Sequence, residues 1–297
     1  MNEQTEVTLA QWRARIDEEL AQVASNGDAL PPFLCDAVHY SLIGEGKRLR
    51  GLLVMASYEA LGGRGDASGL AAAVEIVHAY SLVHDDLPCM DDDDMRRSRP
   101  TTHRAFDVPT ATVAGVTMVA LAVGQTLRAA ETMGLSAETA KRLVSVLMRA
   151  SGASGMVGGQ LMDLMSEGRA VSVEHLEAVH RAKTGALIAA SVTMGALAAR
   201  GAPDAVDALA SAGASLGLAF QIADDVLDAT ASSELLGKTA GRGAVLAKST
   251  YASTLGVQAA RARSDALVAD AMKHLDQAGL RSGPLLELAR FVAARRS

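Results

Sequence analysis

The chain has 297 residues and a formal net charge of −6, which argues against a general nucleic-acid-binding protein. An anionic substrate would therefore need metal ions or a local basic patch. Hydrophobic residues make up 49% of the sequence but aromatic residues only 3%, which favours packed helices over an aromatic-rich sheet. The two cysteines are too few for a disulfide scaffold or a zinc site, so reduced thiols in a cytoplasmic protein are the simplest interpretation.

The first third of the chain is predicted to be helical. Residues 8–24 have apolar side chains at helical spacing, and Pro31-Pro32 separates this helix from the next. A glycine-flanked basic turn, residues 44–51, precedes another apolar run. Residues 70–83 are nearly all apolar and lead directly into an acidic stretch.

The rest of the chain continues the helical pattern, with long apolar helices predicted over residues 108–130 and 204–228. The first of these contains an uncharged run as long as a membrane span, but a proline, four threonines and a glutamine interrupt it. A buried helix is the better interpretation. The charged N-terminus does not resemble a signal peptide. We predict one all-α domain over residues 1–297, without a membrane span.

The acidic stretch contains six carboxylates within ten residues, from Asp85 to Asp94, and Arg96 and Arg97 follow. A core cannot hold so many unpaired charges, because each has a desolvation cost of several kcal/mol. Two interpretations are open: a solvated acidic loop, or a site where a divalent cation and the arginines bind an anion. Asp85 and Asp91 would not share a helix face, but Pro88 disturbs the helix and allows a return.

A second acidic cluster ends the helix over residues 204–228. Asp224 and Asp228 are four residues apart, so they lie on one helix face and repel each other unless a cation bridges them. Ordinary surface acids are the alternative. Two acidic clusters that faced each other across a cavity would hold a diphosphate through Mg²⁺, which combines carboxylates with phosphate oxygens and water.

Several basic residues occur in or near these segments. Arginine offers a planar fork to phosphate oxygens and lysine a point charge. For each basic residue alone, a solvated surface charge is the simpler interpretation. The candidates are Lys47, Arg48, Arg50, Arg96, Arg97, Lys183, Lys238 and Lys248.

Taken together and in order, these motifs resemble those of the trans-isoprenyl diphosphate synthases, most of all the bacterial farnesyl diphosphate synthases. The similarity extends from Phe33 to the C-terminal helices. The matching segments are residues 46–50, 78–86, 91–97, 99–101, 159–163, 183–185, 220–228, 237–238 and 248–251.

The resemblance implies an all-α, terpenoid-synthase-type helical bundle around a central cavity, usually as a homodimer. It also implies three Mg²⁺ ions. Asp85, Asp91 and Asp224 would bind these ions, with Asp86 and Asp228 in support.

The resemblance further implies two diphosphate sites. The metals, with Arg96, Lys183 and Lys238, would hold the allylic diphosphate. Isopentenyl diphosphate would be held without metal, by Lys47, Arg50, His78 and Arg97. Gln160, Thr184 and Gln221 would line the pocket near the reacting carbons.

The implied reaction is the head-to-tail condensation of isopentenyl diphosphate with dimethylallyl or geranyl diphosphate. The allylic diphosphate ionises, and the isopentenyl double bond attacks the cation. Tyr80 lies about one turn before Asp85, where an aromatic residue in the family stops elongation. We therefore expect farnesyl diphosphate as the product, and geranylgeranyl diphosphate if the pocket is deeper.

Four positions depart from the family pattern. Gly51 replaces a usual proline, Ser98 a usual glycine, and Val116 and Gly243 usual aspartates. The last two leave open a weakly active or non-catalytic homologue. His84-Asp85 in an all-α chain leaves open an HD-type phosphohydrolase, which would not explain the second acidic cluster.

Overall fold

The computed structural model describes residues 2–25, 30–44, 46–230 and 249–294. The helices before the first acidic cluster are α1 (Glu3–Ser25), α2 (Pro32–Leu42), α3 (Leu49–Ala60) and α4 (Ser68–Asp85). Next come the strands β1 (Met95–Arg96) and β2 (Arg99–Pro100), then α5 (Thr102–Ala105), α6 (Val108–Thr132), α7 (Ala137–Ser151), α8 (Met156–Ser166) and α9 (Val173–His180). A π-helical turn, Arg181–Gly185, leads into α10 (Ala186–Ala198). The last described helices are α11 (Pro203–Thr230), α12 (Tyr251–Leu255), α13 (Val257–Gln277) and α14 (Pro284–Ala294).

The all-α prediction is confirmed, with one small addition. Strands β1 and β2 form an antiparallel hairpin of two residues each, too short to produce an alternating pattern in the sequence. The two residues between them, Arg97 and Ser98, both have positive φ, of 51° and 62°. Positive φ at both positions is the property of a type I′ hairpin turn, whose twist matches that of the strands.

The contacts divide the chain into two compact units. The first unit consists of Asn2–Leu147 and Met194–Arg200, and the second of Met148–Thr193 and Gly201–Ser297. That these residues form one domain stays a prediction.

Helix α4 is the centre of the first unit and packs against α1, α3 and α6. Every residue from Leu70 to Val77 is buried, which explains why this segment is apolar on all sides except at Glu75. Helix α1 instead buries one stripe, which contains Leu9, Trp12, Ile16 and Leu20 as the periodicity predicts.

Helix α11 is the centre of the second unit and packs against α13, α14 and the π-helical turn. Small residues allow the close approach. A Cβ at Gly217 would lie 2.6 Å from the Cα of Gly185, and one at Gly213 would lie 2.9 Å from the Cα of Ala189. The glycines of α11 therefore set its distance from the segment that carries Lys183 and Thr184.

Two helices, Val108–Thr132 and Pro203–Thr230, are long and apolar enough to cross a membrane by length and composition alone. The core helices of water-soluble proteins meet the same criterion. In the most apolar window of each helix, 39% and 56% of the residues are buried inside the protein. The absence of a membrane span stays a prediction.

Replacement of Gly217 with alanine should destabilise the protein by about 1–3 kcal/mol, because the methyl group overlaps the backbone of Gly185. The matched control is Gly124→Ala on α6, where the nearest atom to a new Cβ is a flexible arginine nitrogen 3.7 Å away. This control should leave the free energy of unfolding unchanged or raise it by up to about 1 kcal/mol. Urea unfolding of both variants measures the difference, and equal effects would contradict the packing assignment.

Candidate active site

The first acidic stretch folds back on the end of α4. The backbone N–H of Asp91 donates to the Asp85 carbonyl at 2.8 Å, and those of Asp92 and Asp93 donate to the carbonyls of Leu87 and Asp86 at 3.1 Å each. This turn confirms the predicted return of Asp91 to Asp85. Two aspartates six residues apart therefore reach the same end of one helix.

Asp86 is buried and forms a bidentate pair with the partly exposed Arg96. Asp86 is only 3% exposed, Arg96 Nε donates to its two oxygens at 2.8 and 2.9 Å, and Arg96 Nη2 donates to Oδ1 at 2.5 Å. Burial raises the pKa of Asp86, and the hydrogen bonds from Arg96 oppose that rise. The pair fixes Arg96 at the end of α4, beside the acidic turn. That Asp86 also supports a metal ion stays a prediction.

Arg48 has a structural role in the basic turn before α3. It adopts a left-handed conformation, with φ of 49°, and donates from Nε to Asp17 at 2.7 Å and from its guanidinium to the Gly44 carbonyl at 2.9 Å. The side chain of Lys47 beside it is exposed. Arg48 is thus engaged within the protein, and the assignment of Lys47 and Arg50 to substrate binding stays a prediction.

A cavity of about 440 Å³ lies in the first unit, lined among others by His78, Arg96 and Arg97. Burial lowers the pKa of His78 well below its ordinary value, and the charges of Arg50 and Arg97 lower it further. At neutral pH the imidazole is therefore uncharged, and the cavity is lined by four arginines and two carboxylates, Arg48, Arg96, Arg97, Arg99, Glu75 and Asp86. A cavity with this excess of fixed positive charge suits a diphosphate bound without metal.

Tyr80 is buried on α4, and its ring meets the ring of His84 edge-on at 5.3 Å. His84 Nε2 lies 3.1 Å from the Thr112 carbonyl on α6, and Gly115 leaves the space that this ring occupies. His84 is therefore packed against α6. This contact does not favour the HD-type phosphohydrolase, which would use the ring as a metal ligand.

The second acidic cluster lies near the end of α11, and its three aspartates differ in how far they are exposed to solvent. Asp224 is partly exposed, Asp225 is buried and Asp228 is exposed. Partial desolvation and the charge of Asp225 raise the pKa of Asp228. The predicted pair, Asp224 and Asp228, therefore faces outward from the helix more than the aspartate between them.

The π-helical turn carries Lys183 and Thr184. Lys183 Nζ donates to an oxygen of Asp163 at 2.7 Å, and the Thr184 hydroxyl donates to Gln221 Oε1 at 2.8 Å. A Cβ at Gly159 would lie 2.2 Å from the backbone nitrogen of Lys183, so glycine is required where α8 meets the turn. Thr184 and Gln221 are thus in contact, and that both line the substrate pocket stays a prediction.

Two residues of the site, Glu75 and Asp225, have no predicted role. Each is a charged residue within an apolar helical run, and this pattern is itself a signal that the charge requires a buried partner. Lys238 lies outside the described residues. Within the described ranges, no three His, Cys, Asp or Glu side chains come together as a ready-made metal site.

A model of the polyprenyl synthetase family matches residues 31–279. The chain belongs to this family. It is 38% identical to the farnesyl diphosphate synthase of Bacillus subtilis over 97% of both chains. It is also 41% identical to a chloroplastic geranylgeranyl pyrophosphate synthase of Catharanthus roseus, over 88% of this chain and 73% of that relative.

Solved structures agree with this membership of the polyprenyl synthetase family. An apo FPP/GFPP synthase from Zymomonas mobilis has a TM-score of 0.84 and 34% identity, over 99% of this chain and 100% of that one. A geranyltransferase from Helicobacter pylori, complexed with magnesium and isoprenyl diphosphate, has a TM-score of 0.81 and 28% identity, over 99% and 97%. As a polyprenyl synthetase, the protein is a prenyltransferase of the prenyl diphosphate synthase class.

Two of the departures from the polyprenyl synthetase pattern have a structural explanation. Gly51 lies in the first turn of α3, where backbone N–H groups have no partner within the helix, and it donates to buried Glu75 at 2.9 Å. A proline would lack this donor. Ser98 adopts the positive φ that glycine adopts readily. Val116 is 61% exposed on α6, and Gly243 lies outside the described residues.

Gly51→Pro should be less stable than Gly51→Ala by about 1–3 kcal/mol, because only proline leaves the buried carboxylate of Glu75 without its backbone donor. Alanine is the steric control, since both variants place a Cβ near Ile16. Chemical denaturation measures the difference. Equal stability of the two variants would show that the hydrogen bond contributes nothing.

The NMR titration midpoint of His78 should lie below 6.5, its ordinary value, because burial and the arginines disfavour the imidazolium. Arg50→Met should raise the midpoint, whereas Lys141→Met on α7 should not. As the pH falls through 6.5, the unfolded chain takes up this proton before the folded protein does, so His78 reduces stability at acid pH. A midpoint at or above 6.5 would contradict the assigned environment.

Proposed function

We propose that the protein condenses isopentenyl diphosphate head-to-tail with dimethylallyl diphosphate and then geranyl diphosphate, and releases farnesyl diphosphate. The observation that carries the proposal is the cavity where a neutral His78 lies among arginines, at the end of α4 that also presents Asp85 and Asp91. One helix end thus offers a cationic pocket and a pair of carboxylates. A diphosphate substrate that binds without metal needs the cationic pocket, and a diphosphate substrate that binds through a metal ion needs the carboxylates.

The cationic pocket would take isopentenyl diphosphate. Arg97 and His78 line it, Lys47 lies in the turn before α3, and Arg50 lies in the first turn of α3. Charged forks bind diphosphate oxygens more strongly than neutral donors do. The pocket holds the substrate without stabilising a leaving group, which fits a co-substrate whose diphosphate stays attached.

The acidic clusters would take Mg²⁺ and the allylic diphosphate, with three ions and with Asp85, Asp91 and Asp224 as the main ligands. Pairs of carboxylate oxygens fit this ion, which completes its coordination with phosphate and water. When bound, Mg²⁺ neutralises the charge that develops on the departing diphosphate. Asp86 and Asp228 would support these ligands.

The chain's own cations would orient the same diphosphate. Arg96 is fixed by Asp86 and Lys183 by Asp163, so both are ordered before the substrate arrives. Lys238 completes the predicted set. The released diphosphate is a sufficient base for the final proton, so none of these side chains needs to remove it.

Product length is the finer part of the proposal, and Tyr80 supports the farnesyl product. Its ring is buried one turn before Asp85, where it would limit the growing tail. Geranylgeranyl diphosphate is the second candidate, because the relatives include geranylgeranyl pyrophosphate synthases as well as a farnesyl diphosphate synthase.

We also propose that the protein is a cytoplasmic homodimer. Helix α6 has an apolar stripe at the alternating spacing of three and four that pairs helices, and its exposed members include Val113, Val116 and Leu127. Burial of this stripe against a second copy would remove apolar surface from water. Within the part of the chain that the structure describes, Cys35 and Cys89 form no disulfide bond, as expected of cysteines in a reducing compartment.

Incubation of the protein with Mg²⁺, isopentenyl diphosphate and dimethylallyl diphosphate should give farnesyl diphosphate on chromatography. Tyr80→Ala should shift the product to longer chains, because the tail gains the volume of the ring. Tyr80→Phe is the control and should keep the wild-type length.

Each of the other possible results would favour one of the alternative functions or contradict the role of Tyr80. A wild-type product of geranylgeranyl length favours the second candidate, and an unchanged length in Tyr80→Ala would contradict the steric role of the tyrosine. Phosphate release without condensation would indicate a phosphohydrolase. Absence of turnover would indicate a non-catalytic homologue.

A further inference from the structure

Asp225 lies between Asp224 and Asp228 in sequence, but only 7% of it is exposed. Its carboxylate accepts three hydrogen bonds. Oδ1 accepts from Gln221 Nε2 at 3.1 Å, and Oδ2 accepts from His180 Nε2 at 3.1 Å and from the backbone N–H of Tyr251 at 3.0 Å. One side chain thus connects α11 with the end of α9 and the start of α12.

This carboxylate determines the orientation of the Gln221 amide. An ionised carboxylate only accepts hydrogen bonds, so the NH₂ group of Gln221 must point to Asp225. The amide oxygen then points the other way, to the Thr184 hydroxyl at 2.8 Å. The chain Asp225–Gln221–Thr184 is therefore a relay in which the first member sets the polarity of the others.

The same carboxylate also fixes the ends of the neighbouring segments. His180 is the last residue of α9 and directly precedes the π-helical turn that carries Lys183 and Thr184. Its ring stacks on that of Tyr251, with centroids 5.6 Å apart and planes at 23°. Asp225 bonds to both residues and so holds the turn against α11 and α12.

We propose that Asp225 is a positioning residue for prenyl transfer, which acts through Gln221 and the π-helical turn and not as a metal ligand. The inference rests on the proposed function, because Gln221, Thr184 and Lys183 are assigned there to the substrate pocket. It divides the second cluster into two outward aspartates that would bind metal, Asp224 and Asp228, and one inward aspartate, Asp225, that positions neighbouring residues of the protein.

Asp225→Asn tests the division. Asparagine keeps the size of the side chain, and its carbonyl oxygen still accepts hydrogen bonds from His180 and Tyr251. Its NH₂ group, however, faces the NH₂ group of Gln221. Because two donors cannot pair, the Gln221 amide turns over. We expect kcat to fall by about tenfold or more, because the pocket is misaligned. The KM of each substrate and the half-saturating Mg²⁺ concentration should change by less than about twofold.

Asp224→Asn is the matched control, and it should raise the half-saturating Mg²⁺ concentration by about tenfold or more. If Asp225→Asn shifts the Mg²⁺ requirement as Asp224→Asn does, Asp225 is a metal ligand and the proposal is wrong. An unchanged kcat in Asp225→Asn would equally overturn it.

Thr184→Val breaks the relay at its other end and does not depend on how Asp225→Asn folds. It should also lower kcat without a change in the Mg²⁺ requirement. In the double variant the loss should not exceed that of the more impaired single variant, because both act through Gln221. Losses that multiply would show independent action and reject the relay.

A readout without turnover separates the two proposals. Asp225→Ala should accelerate hydrogen exchange at the Tyr251 amide, which loses its acceptor, whereas Asp224→Ala should not. If the wild type fails to condense substrates but this exchange result holds, the proposed function is wrong and the anchoring by Asp225 stands. Unchanged exchange in Asp225→Ala would refute the anchoring.

Discussion

A buried carboxylate must be paired, because it has lost its hydration and the loss amounts to several kcal/mol. Among the described residues, Glu75, Asp86 and Asp225 are the buried acidic side chains, with 5%, 3% and 7% of their surface exposed. Each has a partner that belongs to, or directly adjoins, the candidate site. Glu75 accepts from the first turn of α3, Asp86 from Arg96, and Asp225 from Gln221 and its neighbours. The requirement for pairing thus determines where the site residues lie.

The partly exposed aspartates have the opposite property. Asp85, Asp91 and Asp224 lie at helix ends or on the turn that follows, where their oxygens remain within reach of solvent. Carboxylates in that position can exchange water for Mg²⁺ and phosphate without a large loss of hydration. Burial therefore separates acids that hold the protein together from acids that are suited to hold a ligand. The two kinds are adjacent in sequence at Asp85-Asp86 and again at Asp224-Asp225.

Local periodicity was enough to predict much of the fold. The buried stripe of α1, the apolar α4 and the long α6 and α11 follow from residue spacing, because a helix buries side chains at a fixed period. The return of Asp91 to Asp85 was also predictable, since Pro88 lies between them. The hairpin was not, because its two strands are too short for a period and its turn depends on positive φ at Arg97 and Ser98.

The partners of the buried charges could not be read from local patterns. Glu75 pairs with a residue 24 positions away, and Asp225 with residues 26 and 45 positions away, so spacing carries no signal of the contact. The family resemblance supplied the outward residues but gave no role to Glu75 or Asp225. What the sequence did show was the anomaly itself, a charge in an apolar run.

The division between inward and outward carboxylates is most directly tested by anomalous scattering from Mn²⁺ in crystals grown with Mn²⁺ and inorganic diphosphate. The account predicts anomalous peaks bonded to Asp85, Asp91 and Asp224, with Asp225 still bonded to Gln221, His180 and Tyr251. A manganese ion bonded to Asp225 would contradict it.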